Sequence, residues 1–70
     1  MPNISNQVRR LRFEHGEMTQ QKLAELAGVT RQTIIAIEGG KYSPSLELAF
    51  RLARAFGVGL EDVFCWKDTP

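Results

Sequence analysis

The stretch QQKLAELAGVTRQTIIAIE, from Gln20 to Glu38, decides how this chain is read. Before Gly28, Leu23, Leu26 and Ala27 recur at helical spacing; after it, Ile34 and Ile37 do the same. Thr19 precedes the first of these periods and Thr30 the second. Each offers a hydroxyl to backbone N–H groups that a helix start leaves unpaired. Lys22, three residues after Thr19, is not the Glu that would complete a reciprocal capping box. Gly28 closes the first of the two helices, since glycine takes a left-handed conformation at little cost. So few residues join them that the helices cannot lie antiparallel and must cross steeply. Ala24 is small enough to permit the close approach, and Val29, Ile34 and Ile37 are placed to lock the pair onto a core.

Working outward, Ile4, Val8, Leu11 and Arg12 share one face of a preceding helix that ends near Gly16. Downstream, Gly39-Gly40 stops the third helix, and Ser43-Pro44-Ser45 starts a fourth, proline being tolerated near a first turn. Its apolar face comprises Leu46, Ala49, Phe50, Leu52, Ala53 and Phe56. After the break at Gly57-Val58-Gly59 comes a short fifth helix, with Leu60, Val63 and Phe64 inward. Glu61 and Asp62 sit in its first turn, where the helix dipole favours negative charge. Nothing alternates with period two over a useful length. The expectation is an all-α, five-helix domain spanning 1–70, with its core in 5–64, the paired helices in 19–38 and a short tail at 67–70.

Composition narrows the function classes. Seventy residues leave no room for a large enclosed substrate pocket. One cysteine, Cys65, excludes an internal disulfide framework, and one histidine, His15, leaves no ligand set for zinc. No third group is signalled to orient a His–Cys pair, so catalysis, cofactor and metal are not expected. No stretch approaches a membrane span, and the opening residues do not resemble a secretory signal, so a cytoplasmic protein without membrane association is expected. The net charge of +1 hides an asymmetry. Residues 1–56 carry eight Lys/Arg against five Asp/Glu, while residues 57–70 carry one Lys against three acids. A basic bias over most of the chain is offset by an acidic end.

Two short helices crossing about a glycine turn, the second with a solvent face, form the helix-turn-helix pattern that places a helix in a DNA major groove. The chain resembles the lambda-repressor/Cro-like (Xre) family over residues 5–64. The resemblance rests on Arg9-Arg-Leu-Arg12, Met18-Thr-Gln20, Leu23-Ala24, Gly28 to Ile34, Ile37-Glu38, Gly40-Lys-Tyr42, Pro44-Ser-Leu46 and Glu61-Asp-Val-Phe64. It implies a sequence-specific DNA-binding regulator, most naturally a repressor, which binds double-stranded DNA as a homodimer on a near-palindromic operator. The alternative is a protein-binding module of the same fold, such as the antitoxin of a toxin–antitoxin pair.

The third helix exposes Arg31, Gln32, Ile35 and Ala36 as candidate base-reading residues. Arginine suits guanine O6/N7 and glutamine suits adenine N6/N7, though Arg31 is equally suited to a phosphate. Ile35 departs from the small or polar residue usual in the family. It either meets thymine methyls or tucks under a neighbouring helix. The resemblance assigns Gln20 to a phosphate at a helix start, with Thr30 and Thr33 flanking, and gives the loop Gly40, Lys41 and Tyr42 a backbone-contacting role. For Tyr42, packing on the fourth helix is the alternative. The same resemblance pairs Glu38 with Arg12 as a structural ion pair, whereas Arg9 and Arg10 read as surface charges, with phosphate contact the less favoured option. Between Gly16 and Thr19 the chain has one residue more than the family pattern, placing Glu17 outward in a tolerant turn. Phe64, Cys65 and Trp66, read as part of the last helix, either close the core or form the dimer contact.

Overall fold

The computed structural model describes residues 3–67, so most of the expected 67–70 tail lies outside the described residues. Its elements are β1 (Ile4–Asn6), α1 (Val8–Glu14), α2 (Gln20–Ala27), α3 (Arg31–Glu38), α4 (Leu46–Phe56), α5 (Leu60–Val63) and β2 (Phe64–Trp66). The five expected helices are present and the domain is mostly helical, as expected, but a short two-stranded sheet adds to the all-α reading. β1 and β2 pair antiparallel, with Ile4 opposite Trp66, Ser5 opposite Cys65 and Asn6 opposite Phe64. Gln7 N–H donates to the Val63 carbonyl at 2.8 Å and Lys67 N–H to the Asn3 carbonyl at 2.7 Å, which extends the ladder on both sides. Three-residue strands are too short to show a two-residue period, and their partners lie on either side of the whole helical core. Ile4 therefore belongs to a strand rather than to α1, and Phe64, Cys65 and Trp66 to a strand rather than to α5.

The helix starts follow the capping chemistry. Thr19 Oγ1 accepts from Lys22 N–H at 2.9 Å, and Ser45 Oγ accepts from Leu48 N–H at 3.1 Å. Asp62 Oδ2 takes the Gly59 N–H at 2.9 Å, opening α5. Gly28 and Gly57 stop α2 and α4 in the left-handed region, at φ of 73° and 69°. The extra residue before α2 is absorbed by two consecutive left-handed residues, Gly16 and Glu17 (φ 74° and 54°), and Glu17 points to solvent as expected.

The core is one cluster drawn from every helix: Val8 and Leu11; Leu23, Ala24 and Ala27; Ile34 and Ile37; Leu48, Leu52, Ala53 and Phe56; and Val63. Leu26 is half-exposed instead of inward. With roughly 100° per residue, the centre of the Leu23–Ala24–Ala27 face lies about 105° from Leu26. Similar geometry leaves Leu46 and Phe50 on the flank of α4, Leu46 being 69% exposed.

Candidate nucleic-acid interface

α2 and α3 are built to present one surface. Ala24 is fully buried, so α3 approaches α2 with no side chain in the way, and Ile34 and Ile37 are sealed beneath. Thr30 caps α3, its Oγ1 accepting from Thr33 N–H at 3.3 Å and lying 3.1 Å from Thr33 Oγ1. With Ile34 and Ile37 inward, helical geometry turns Arg31, Gln32 and Ile35 outward, with Ala36 and Thr33 half-buried at the margins. Ile35 is 38% exposed. Among the described residues Arg31 and Gln32 make no ion pair or side-chain hydrogen bond, so their donors face solvent.

The far end of α3 is tied to α1 by a fork-on-fork ion pair. Arg12 Nε donates to Glu38 Oε2 at 2.7 Å and Arg12 Nη2 to Glu38 Oε1 at 3.1 Å. Both side chains are about nine-tenths buried, at 11% and 10% exposure. Arg12 Nη1 also donates to the Met18 carbonyl at 2.8 Å, and Gln20 Nε2 donates to Glu38 Oε1 at 3.3 Å. Glu38 sits in the last turn of α3, where its charge opposes the helix dipole; the guanidinium offsets that cost. Gln20, at the first position of α2, thus has its amide oriented by Glu38 while one N–H of the same group remains for a further acceptor.

This clamp floors a cleft of about 490 Å³ between α1, α2 and α3, lined by Arg9, Arg12, Phe13, Thr19, Gln20, Gln21, Arg31 and Glu38. Three arginines meet one carboxylate there, and Arg12 already neutralises that carboxylate. The opening of α2, with its unpaired N–H groups, lies in the same wall.

In the loop after α3, Gly40 takes the left-handed turn at φ 73°. Its N–H donates to the Ile37 carbonyl at 3.0 Å, inside the turn. Lys41 N–H is likewise held by the Ala36 carbonyl at 2.9 Å, but its side chain is exposed and unpaired among the described residues. Tyr42 is exposed beside Val29, Ser45, Leu48 and Arg51, in a shallow cleft at the start of α4.

Two residues carry more than sequence reasoning gave them. Asn6 Nδ2 donates to the Ile37 carbonyl at 3.0 Å while its Oδ1 accepts from Val8 N–H at 3.2 Å, binding β1 to the end of α3 and opening α1. An Asn just ahead of the Val8–Leu11 period is the signal that could have flagged the second contact; the first is long-range. His15 is not simply solvated. Its Nδ1 lies 2.7 Å from the Leu11 carbonyl and its Nε2 2.9 Å from the Phe56 carbonyl, bridging the ends of α1 and α4. The ring also packs at 5.2 Å on Phe56. Cys65 is exposed, its Sγ directed at the Glu61 carbonyl, and no described group of acids, histidines and cysteine is arranged to hold a metal. No helix among the described residues is long and apolar enough to cross a membrane.

The amino-acid sequence matches the Helix-turn-helix family over residues 9–63. An HTH-type transcriptional regulator of Methanocaldococcus jannaschii is 52% identical over 65 residues, covering 93% of this chain and 97% of the relative. The HTH-type transcriptional regulator YgzD of Bacillus subtilis is 51% identical over 65 residues, with 93% and 96% covered. Among solved structures, the restriction-modification controller protein C.AhdI of Aeromonas hydrophila is similar with a TM-score of 0.73 at 31% identity, over 79% of this chain and 82% of that one.

Proposed function

This chain belongs to the helix-turn-helix family in its lambda-repressor-like (Xre) form, and on that premise we propose that it is a transcriptional repressor that binds a near-palindromic operator as a homodimer. The observation that carries the reading is the outward row Arg31, Gln32 and Ile35 on a helix fixed at one end by the Thr30 cap and at the other by Arg12–Glu38. Gln32 pairs with an adenine edge and Arg31 with a guanine edge, while Ile35 and Ala36 meet thymine methyls. Gln20, Thr30, Thr33, Lys41 and Tyr42 contact the sugar–phosphate backbone, which sets register rather than sequence. In this role Gly40 shapes the turn that presents Lys41 and Tyr42.

Dimerisation supplies the rest of the specificity. An apolar groove of about 310 Å³ is lined by Ile4, Ser43, Pro44, Leu46, Ala49, Leu60 and Phe64, and shares no lining residue with the arginine-rich cleft. Leu46 and Trp66, each 69% exposed, are large apolar groups of a kind that a small domain gains from covering. In this reading Phe64, Cys65 and Trp66 form part of a two-fold contact. Two copies of α3 then enter successive major grooves about 34 Å apart.

A titration with random genomic fragments at two salt concentrations tests the proposal. One two-fold-symmetric site is expected to be enriched, and Lys41→Ala to weaken all sequences alike while lowering the salt slope by about one unit. Fragments that all bind no better than bulk DNA would count against it.

A further inference from the structure

The three arginines of α1 have different surroundings. Arg10 is engaged by Gln7 Oε1 and by Glu14 at 3.3 Å, and Arg12 by Glu38. Arg9 has no carboxylate partner among the described residues. Its guanidinium instead lies 5.7 Å from the centroid of the Phe13 ring, one helical turn along. Phe13 is 52% exposed, and Arg12 stands 5.8 Å from the same ring. Glu38 fixes Arg12, Arg12 flanks Phe13, and Phe13 gives Arg9 a face to rest on. The series runs from the last turn of α3 to an unpaired cation in the cleft that also holds Gln20, Gln21 and Arg31.

We propose that Arg9 is a contact for a DNA phosphodiester and that Phe13 is its positioning residue, extending the backbone track from α2 and α3 onto α1. The proposal rests on the DNA-binding reading above. A long arginine side chain free to rotate loses conformational entropy on binding; an aromatic face that holds it toward the cleft reduces that loss. The cleft suits an anion because Glu38, the one carboxylate among its described lining residues, is neutralised by Arg12, leaving Arg9 and Arg31 as surplus charge. Phosphodiester rather than base is the partner, since α3 presents the base-reading side chains and α1 only borders the cleft.

The test measures affinity against salt for the enriched operator and for random DNA, using the wild type, Arg9→Gln, Phe13→Leu, Phe13→Tyr and Arg9→Gln/Phe13→Leu, with Lys41→Ala as reference. Arg9→Gln is expected to lower the salt slope by about 0.9 and affinity at 0.1 M salt by about 5- to 10-fold on both DNAs. Phe13→Leu is expected to lower affinity about two- to fivefold when Arg9 is present and to have no effect when it is absent, with Phe13→Tyr restoring the wild-type value. Thermal midpoints of all variants should stay near that of the wild type. An unchanged slope in Arg9→Gln, beside a lowered slope in Lys41→Ala, overturns the proposal while leaving DNA binding intact. A Phe13→Leu loss that persists without Arg9 overturns the positioning role. No salt-dependent binding by the wild type defeats the underlying reading and this proposal with it.

Discussion

Replacing Glu38 by alanine removes two hydrogen bonds from Arg12 and one from Gln20, and leaves a guanidinium about nine-tenths buried with the Met18 carbonyl as its remaining hydrogen-bond acceptor among the described residues. Breaking one side of a buried pair costs about 3–5 kcal/mol, mostly because the surviving charge is stranded away from water. Stabilities of about 0.05–0.15 kcal/mol per residue put a chain of this length near 3.5–10 kcal/mol, so Glu38→Ala consumes a large share of the total. Glu38→Gln, which keeps an acceptor for Arg12, gives a smaller and measurable step of about 2 kcal/mol. The double variant Arg12→Met/Glu38→Met strands no charge and should lose less than the sum of the single variants. Urea unfolding followed by far-ultraviolet circular dichroism reads all of these from the midpoint at constant slope. A cost for Glu38→Ala under about 1 kcal/mol, as for exposed ion pairs, or a double variant that costs as much as both singles together, would mean that no buried charge is stranded.

Three further outcomes follow from the geometry. His15→Ala removes the bridge between the Leu11 and Phe56 carbonyls and should destabilise by about 1–2 kcal/mol in the same unfolding assay; no loss would mean that water replaces the ring at no cost. Asn6→Ala should cost about 1–3 kcal/mol, and hydrogen exchange should quicken at the end of α3 more than in α4, because the Ile37 carbonyl loses a donor. Leu46→Asp places a charge beside the apolar groove and should shift sedimentation equilibrium toward monomer with little change in the thermal midpoint of the dissociated chain; an unaltered mass would place the two-fold contact elsewhere.

Local signals in the sequence carried the helices. Thr19 and Thr30 cap helices as their hydroxyls suggested, Gly28 and Gly57 end them, and Ile34 and Ile37 point inward because they lie three positions apart; the cap of α4 is Ser45, so Pro44 precedes the helix instead of sitting in its first turn. The outward row on α3 was legible for the same reason: two buried positions on a short helix leave the opposite face to solvent. The Arg12–Glu38 pair came from family resemblance, since no local rule joins residues 26 positions apart.

Long-range pairing was not legible. β1 and β2 are each three residues, too short for alternation, and exist only because the helical core brings them together. The Asn6–Ile37 and His15–Phe56 contacts have the same origin. Leu26, Leu46 and Phe50 are exposed although they lie near helical stripes, because an apolar residue beside a stripe need not lie within it and only the neighbours decide.

If side chains of α3 read bases, Gln32 is the one whose loss should show it at a single base pair. Affinities of the wild type and Gln32→Ala are measured by fluorescence anisotropy on the enriched operator and on every single-base variant of one half-site. Gln32→Ala is expected to lose about 1–3 kcal/mol of discrimination at one adenine position and to keep its preferences elsewhere. An unchanged preference at every position, with wild-type affinity throughout, would mean that Gln32 reads no base.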